Sequence, residues 1–162
     1  MNQQRLKELL NYDPVTGVFK HIFSRHGVTV GKKAGYINSD GYIYIILDKK
    51  KYVAHRLIWL YVYGAYPINQ LDHINRIRHD NTLLNLREVT LAENRQNLGL
   101  SLKNKSGFRG VSKDPKTELW RVNISVKNKA KYVGRFSTLS EAADAYAMAA
   151  KLYHTHNPMA AL

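Results

Sequence analysis

The chain is expected to fold as an α+β protein of two modules in series, and three observations predict this. Leu119 to Val126 alternates: Trp120, Val122, Ile124 and Val126 are apolar, while Arg121, Asn123 and Ser125 between them are polar. That period of two is the pattern of a half-buried strand. Thr90 with Glu93, and Thr138 with Glu141, each form a T-x-x-E string of the kind that caps a helix start. Between the two strings lies the polar stretch from Gly99 to Ser106, which reads as a linker. The expected organisation is a first region over 1–98, a linker over 99–106 and a second module over 107–162.

Each element has a local reason. Leu6, Leu9 and Leu10 have the spacing of a short helix. Tyr12-Asp13-Pro14-Val15-Thr16-Gly17 is turn-rich and leads into Val18-Phe19-Lys20. Gly35 to Leu47 and Lys51 to Ala54 read as a hairpin across a basic turn, Asp48-Lys49-Lys50-Lys51. Arg56 to Tyr63 is an apolar helix containing Trp59, stopped by Gly64 and Pro67. Gln70 to Ile74 is a short strand, and Asn75 to Thr82 is a polar, charged loop. Leu83 to Val89 carries apolar Leu84, Leu86 and Val89, with Asn85 between two leucines. A helix then starts at Leu91 and places Asn94 in its first turn. The second module reads as a three-stranded antiparallel sheet backed by one helix, whose Ala142, Tyr146, Ala149 and Tyr153 form a stripe. On the flanking strands Arg109 and Lys113 share a side, as do Lys131 and Arg135, with Val111 and Val133 interrupting those faces. Trp120 goes with the valines, toward the core.

Charge narrows the function classes. The 162 residues carry 25 basic and 12 acidic side chains, a formal net charge of +13. Such an excess implies a polyanionic partner, most simply nucleic acid. The surplus is concentrated: residues 101–138 hold 10 basic against 2 acidic side chains. An anionic membrane surface is the competing partner, but no apolar run approaches the roughly 20 residues of a spanning helix. MNQQRLKELL lacks the apolar core of a signal peptide, so a cytoplasmic location is expected. With no cysteine, disulfides and paired C-x-x-C zinc sites are excluded, and no structural zinc is expected.

The most informative run is LDHINRIRHDNTLLNLREVTLAENRQN, positions 71 to 97. It sets Asp72 beside His73, then Asn85, and then Asn94. The string D-H-I-N, D-N, N-L-R, T-x-x-E-N resembles the HNH nucleases, in the variant whose last His is Asn. The resemblance is closest to the homing endonucleases of mobile introns and phage genomes, where A-H-R-L-I-W-L, here from Ala54, commonly precedes D-H. It implies two short strands and a helix around one metal, and metal-assisted hydrolysis of a DNA phosphodiester. It implies His73 as general base, Asp72 and Asn94 as metal ligands, and Asn85 as the catalytic-motif residue that braces the loop carrying the His. The chemistry suits these residue types. A neutral imidazole can take a proton from water, and hard oxygen donors suit Mg²⁺, with Mn²⁺ a substitute. Because adjacent strand residues point to opposite faces, a turn or bulge at Asp72-His73 is expected to bring both side chains to the phosphate. Arg87 is either a phosphate clamp or an exposed strand arginine. His79 is a solvated loop residue or a phosphate contact, and Asn75 and Asn81 read as loop-forming. His55 is either near the metal or a buried, hydrogen-bonded histidine. His21 and His26 are a weak metal signal.

After the linker, G-F-R-G-V at 107–111, Trp120-Arg121, Y-V-G-R-F at 132–136 and the helix E-A-A-D-A-Y-A-M-A-A at 141–150 occur in order. Over about 50 residues this resembles the APETALA and ethylene-response-factor type DNA-binding domain. It departs from the plant pattern in having Tyr132 where Trp is usual, and in shorter loops. The expected reader is the polar sheet face, a known mode of entering the major groove. Arg109, Arg121 and Arg135 are the candidates for base contacts, since a guanidinium can grip guanine bidentately, with Asn123 beside them. Lys127, Lys129 and Lys131 are the candidates for phosphate contacts. Asp48 to Lys51 is a further basic run that could track a DNA backbone. The sequence thus predicts a metal-dependent endonuclease acting on double-stranded DNA, as a monomer or homodimer, one site per chain favouring nicking. A DNA-binding regulator that kept the fold without catalysis is the alternative class. A structure-specific repair nuclease is disfavoured by the separate basic reader.

Overall fold

The computed structural model describes residues 1–24 and 27–156, so His26 and the last six residues of the second module lie outside the described residues. The architecture is α+β, with four small antiparallel sheets and four helices among the described residues. Among those residues no helix is long and apolar enough to cross a membrane. The chain divides into two compact units, Met1–Val89 and Thr90–Leu162.

In the first unit, helix α1 (Gln3–Leu9) starts where the Asn2 side chain accepts from the Arg5 N–H. Leu10, expected in that helix, instead opens strand β1 (Leu10–Asp13), which pairs antiparallel with β2 (Val18–His21). The expected hairpin gains a third strand: β3 (Tyr36–Ile37), β4 (Ile43–Leu47) and β5 (Lys50–Val53) pair in that order. Asp48 and Lys49, both at positive φ, make the two-residue turn between β4 and β5, so only part of the basic run is turn. Helix α2 (Ala54–Tyr63) comes next, ending at Gly64. Leu6, Leu10, Phe19, Ile45, Leu47, Leu57 and Ile58 form one buried core across these elements. Burying a side chain of this size is worth about 1.5–3 kcal/mol before entropy is charged against it. Strands β6 (Gln70–His73) and β7 (Leu86–Val89) pair antiparallel. A loop and a 3-10 turn (Leu83–Asn85) join them. Leu86 reaches into the same core and ties β7 to it.

The second unit begins with helix α3 (Leu91–Asn97), whose capping box of Thr90 and Glu93 is formed as the sequence predicts. Its division from the first unit falls upstream of the expected boundary near Leu98. The Arg109 guanidinium donates to the carbonyls of Arg95, Gln96 and Leu98. Gln96 Oε1 also accepts from the backbone N–H groups of Thr155 and His156. The end of α3 is thereby fastened to both ends of the second module, at Arg109 and at Thr155-His156.

Strands β8 (Val111–Lys113), β9 (Trp120–Val126) and β10 (Lys129–Phe136) pair antiparallel in the order β10-β9-β8. Helix α4 (Leu139–Tyr153) covers one face, and its start carries the second capping box. Val122, Ile124 and Val111 meet Ala142, Tyr146, Ala149 and Ala150 in a second core, with Trp120 and Tyr153 packed on it. One face assignment is corrected. The β10–β9 register shifts between Tyr132 and Gly134, so Val133 is an extra residue in β10. Before the shift Lys131 sits opposite Ile124, and after it Arg135 sits opposite Arg121. Lys131 and Arg135 therefore face opposite sides. Lys131 turns to the helix, where Nζ donates to the Tyr153 hydroxyl at 2.6 Å.

Gly110, at φ +69, lies where an added Cβ would meet the Asn123 carbonyl oxygen at 2.3 Å and the Tyr146 ring at 2.4 Å. Gly110→Ala should therefore destabilise the second unit by more than about 1 kcal/mol, through both φ strain and overlap. Urea melts followed by circular dichroism would check this; an unchanged midpoint would contradict it.

Candidate active site

The β6–β7 ladder runs without interruption through Asp72 opposite Arg87 and His73 opposite Leu86. Of the turn or bulge expected at Asp72-His73, a bulge is not formed, and the two side chains alternate as ordinary strand neighbours. The chain reverses after His73 instead. The Arg76 N–H donates to the His73 carbonyl at 2.9 Å, with Arg76 itself at φ 65. The Ile74 N–H donates to the Asn85 carbonyl at 2.9 Å and closes the mouth of the loop.

Asn85 then spans that loop. Its Oδ1 accepts from the Asn75 N–H at 3.0 Å, and its Nδ2 donates to Asn75 Oδ1 at 3.0 Å and to the Asp80 carbonyl at 2.7 Å. Asn75 Nδ2 donates to Asp80 Oδ2 at 2.6 Å, and Asp80 Oδ1 accepts from the hydroxyl of Thr82 at 2.9 Å. Burial pushes the Asp80 carboxyl up, but the bonds from Thr82 and Asn75 outweigh it and hold the group below the usual carboxylate range. Loop residues Asn75 and Asn81, read from sequence as merely loop-forming, are each built into this network or beside it.

His73 is buried, and its Nε2 lies 3.0 Å from Asn81 Oδ1. Asn81 is among the most buried polar residues of the fold, at 1 % exposure. The His55 ring meets the His73 ring edge-on at 5.1 Å between centroids, and Tyr42 lies 5.2 Å from the first and 5.9 Å from the second. Burial lowers the His73 pKa below 6.5, against the opposing effects of Asn81, Asp72 and Asp80. Burial lowers that of His55 further, to about 3, helped by His73 and Arg56. Both imidazoles are neutral at pH 7. His55 is buried with its ring against that of His73, and its Nδ1 has no hydrogen-bond partner among the described residues, so the burial read from sequence is observed without the expected hydrogen bond at that atom.

Asp72 is buried at 8 % exposure, and Arg87 donates to its Oδ2 from Nε at 3.0 Å and from Nη2 at 2.7 Å. Arg87 is half-buried and paired, which neither sequence reading of it anticipated. Among the described residues no group of three or more His, Cys, Asp or Glu could hold an ion. A single buried carboxylate nevertheless suits a hard ion of the Mg²⁺ kind, which keeps water and draws its remaining ligands from phosphate. Asn94 is in the first turn of α3, within the second unit, and half-buried.

In the second unit the outer row of the sheet is Ser112, Arg121 and Arg135, by register. Arg121 lies over the Tyr132 ring at 5.6 Å, and Arg135 pairs with Asp114 at 3.1 Å. Asn123 shares that face and sits opposite Tyr132. Lys127 is in the β9–β10 turn at φ 48, and Lys129 is exposed at the start of β10. Arg109 is half-buried with its guanidinium on the α3 carbonyls, a role its place in G-F-R-G-V did not signal. His79 is exposed, and His21 closes β2.

Residues 52–96 match the family model for HNH endonuclease. Asp72, His73, Asn81, Asn85, Arg87 and Asn94 all fall inside that stretch. The chain is also similar to a solved structure titled as DNA binding and cleavage by the HNH homing endonuclease I-HmuI. The two are 26% identical, with a TM-score of 0.43, over 56% of this chain and 51% of that one. The match therefore spans about half the length of that protein. No curated protein matches the chain.

The neutral histidines make acid stability testable. Above pH 6.5 both the fold and the unfolded chain hold His55 uncharged. Between 6.5 and about 3 the unfolded chain binds a proton that the fold refuses, so stability falls as pH falls. The slope from this one group is at most about 1.4 kcal/mol per pH unit, and His73 adds in the same direction. Urea melts at pH 7 and pH 5 should show the loss, and His55→Phe should lessen it. An equal pH dependence in the variant would contradict the assignment.

Proposed function

We propose that the chain is a metal-dependent DNA endonuclease that hydrolyses phosphodiester bonds in double-stranded DNA, nicking one strand per site. The observation that carries this reading is His73, buried, neutral and hydrogen-bonded beside a buried carboxylate, within the stretch that matches the HNH endonuclease family model. His73 is the general base: the ring nitrogen that carries its lone pair takes a proton from water. Asp72 is the ionic ligand for a divalent ion, Mg²⁺ with Mn²⁺ as substitute, and Asn94 is the second ligand by its place in the sequence motif. A bound ion would neutralise the scissile phosphate and stabilise charge on the leaving oxygen. Arg87 shares the Asp72 carboxylate and keeps that buried charge compensated before the ion enters. Asn85 holds the loop just after the base. The products carry 5′-phosphate and 3′-hydroxyl ends.

The outer face of the second unit's sheet is the proposed DNA reader. Arg121 and Arg135, with Asn123, are the base-contacting candidates. Lys127 and Lys129 supply phosphate contacts, and Lys131 contributes from its edge. Arg109 serves the reader indirectly, by fastening α3. One observation favours a non-catalytic DNA-binding regulator as the second reading: Asp72 Oδ2 is already occupied by Arg87.

His73→Ala should lower single-turnover cleavage by about 10²–10⁴-fold with little change in DNA affinity. The wild-type rate should be level near neutral pH and fall only below the ordinary imidazole range, because burial resists protonation of His73. Asp72→Ala should cut the rate more than Asn94→Ala, and EDTA should abolish it. A variant lacking His73 that cleaves at the wild-type rate sinks this reading. For the reader, Arg121→Ala should weaken preference at particular bases by about 1–3 kcal/mol, while Lys127→Ala lowers affinity alike for all sequences and flattens its salt dependence. Titrations at several salt concentrations distinguish the two; identical effects would contradict the division of labour.

A further inference from the structure

We propose that Asn81 is the positioning residue for His73, and that the β1–β2 hairpin holds Asn81 in place. This rests on the reading of His73 as general base. A base of this kind needs one ring nitrogen protonated and held, so that the other presents its lone pair. The Asn81 amide oxygen facing Nε2 can only accept, so Nε2–H donates to it and the lone pair falls on Nδ1. Both side chains are nearly sealed from solvent, which makes the contact costly to exchange for water.

The hairpin supports Asn81 from behind. The Tyr12 hydroxyl, on β1, donates to the Asn81 carbonyl at 2.9 Å across 69 residues of sequence. The Leu83 N–H donates to the Pro14 carbonyl at 3.4 Å. Gly17, at φ +70, ends the turn so close that an added Cβ would lie 2.4 Å from the Asn81 carbonyl carbon and the Thr82 nitrogen. Tyr12 is fixed by its rings' neighbours, Phe19 at 5.3 Å and Tyr61 at 6.0 Å. Burial pushes its hydroxyl up to about 12, so it remains a donor. The hairpin lies outside the 52–96 stretch that matches the HNH endonuclease family model, and this gives it a task.

The test uses the full chain labelled with ¹⁵N-histidine, the His73 nitrogens being identified by their loss in His73→Gln. Wild type should show Nε2 protonated and Nδ1 bare at neutral pH. Asn81→Leu should lose that pattern and slow single-turnover cleavage by about 10–100-fold, with DNA affinity nearly unchanged. Asn81→Asp, which retains the acceptor oxygen, should restore the pattern and part of the rate. Tyr12→Phe should shift both readouts in the same direction by less, and it decides the matter if Asn81→Leu does not fold. Wild-type nitrogen shifts and wild-type rate in the variants would overturn the proposal. If the chain does not cleave but Asn81→Leu still changes the tautomer, the nuclease reading fails and the positioning role stands.

Discussion

Asn85 clasps the loop between β6 and β7, and the surroundings of His73 depend on that clasp. A side-chain amide has few hydrogen-bonding positions, and here they go to the Asn75 N–H, the Asn75 Oδ1 and the Asp80 carbonyl. The amide is buried, so losing a partner would leave polar groups stranded at about 1–3 kcal/mol each. The loop is therefore held closed by hydrogen bonds rather than by packing of Ile74 and Ile77, which are exposed. Closing it brings Asn81 back to the His73 ring at the end of β6. The hairpin at the N-terminus then bears on Asn81 from the other side.

Two kinds of electrostatic balance meet at β6. His73 is kept neutral by burial among Tyr42 and His55, which suits it to accept a proton. Asp72, its neighbour, accepts hydrogen bonds from Arg87, which sits opposite it in the ladder. Alternation along a strand lets one residue pair serve both needs: one side chain enters an aromatic pocket while the next faces a cation. The exposed positive charge obeys a different logic. On the sheet of the second unit Arg121 lies over the Tyr132 ring and Arg135 pairs with Asp114, while Lys127 and Lys129 lie exposed at the β9–β10 turn.

Much of the fold was legible because its elements carry local signals. The two T-x-x-E boxes, the alternation in β9 and the Ala142–Tyr153 stripe each arise from short-range patterns. The brace by Asn85 was legible too, through the motif. What was missed depends on distant partners. Asn81 sits in a D-N pair that reads as a turn, and only the fold brings it to His73. Arg109 binds the carbonyls at the end of α3, a contact that nothing in G-F-R-G-V signals. Val133 adds one residue to β10, and no pattern in K-A-K-Y-V-G-R-F marks it. Plain alternation fails across it, so that Lys131 before it faces the helix while Arg135 after it faces outward. Of the turn or bulge expected at Asp72-His73, a turn forms, but just after His73, where the strand ends.

We propose that this chain cuts DNA with His73 as general base beside a divalent ion held by Asp72 and Asn94. Incubating the purified chain with supercoiled plasmid, with Mg²⁺ and with EDTA, tests it most directly. The account predicts relaxed circles with Mg²⁺ and untouched supercoils with EDTA. Plasmid that is bound but remains supercoiled in Mg²⁺ and in Mn²⁺ would contradict it, and would make the chain a DNA-binding protein that keeps the site without the reaction.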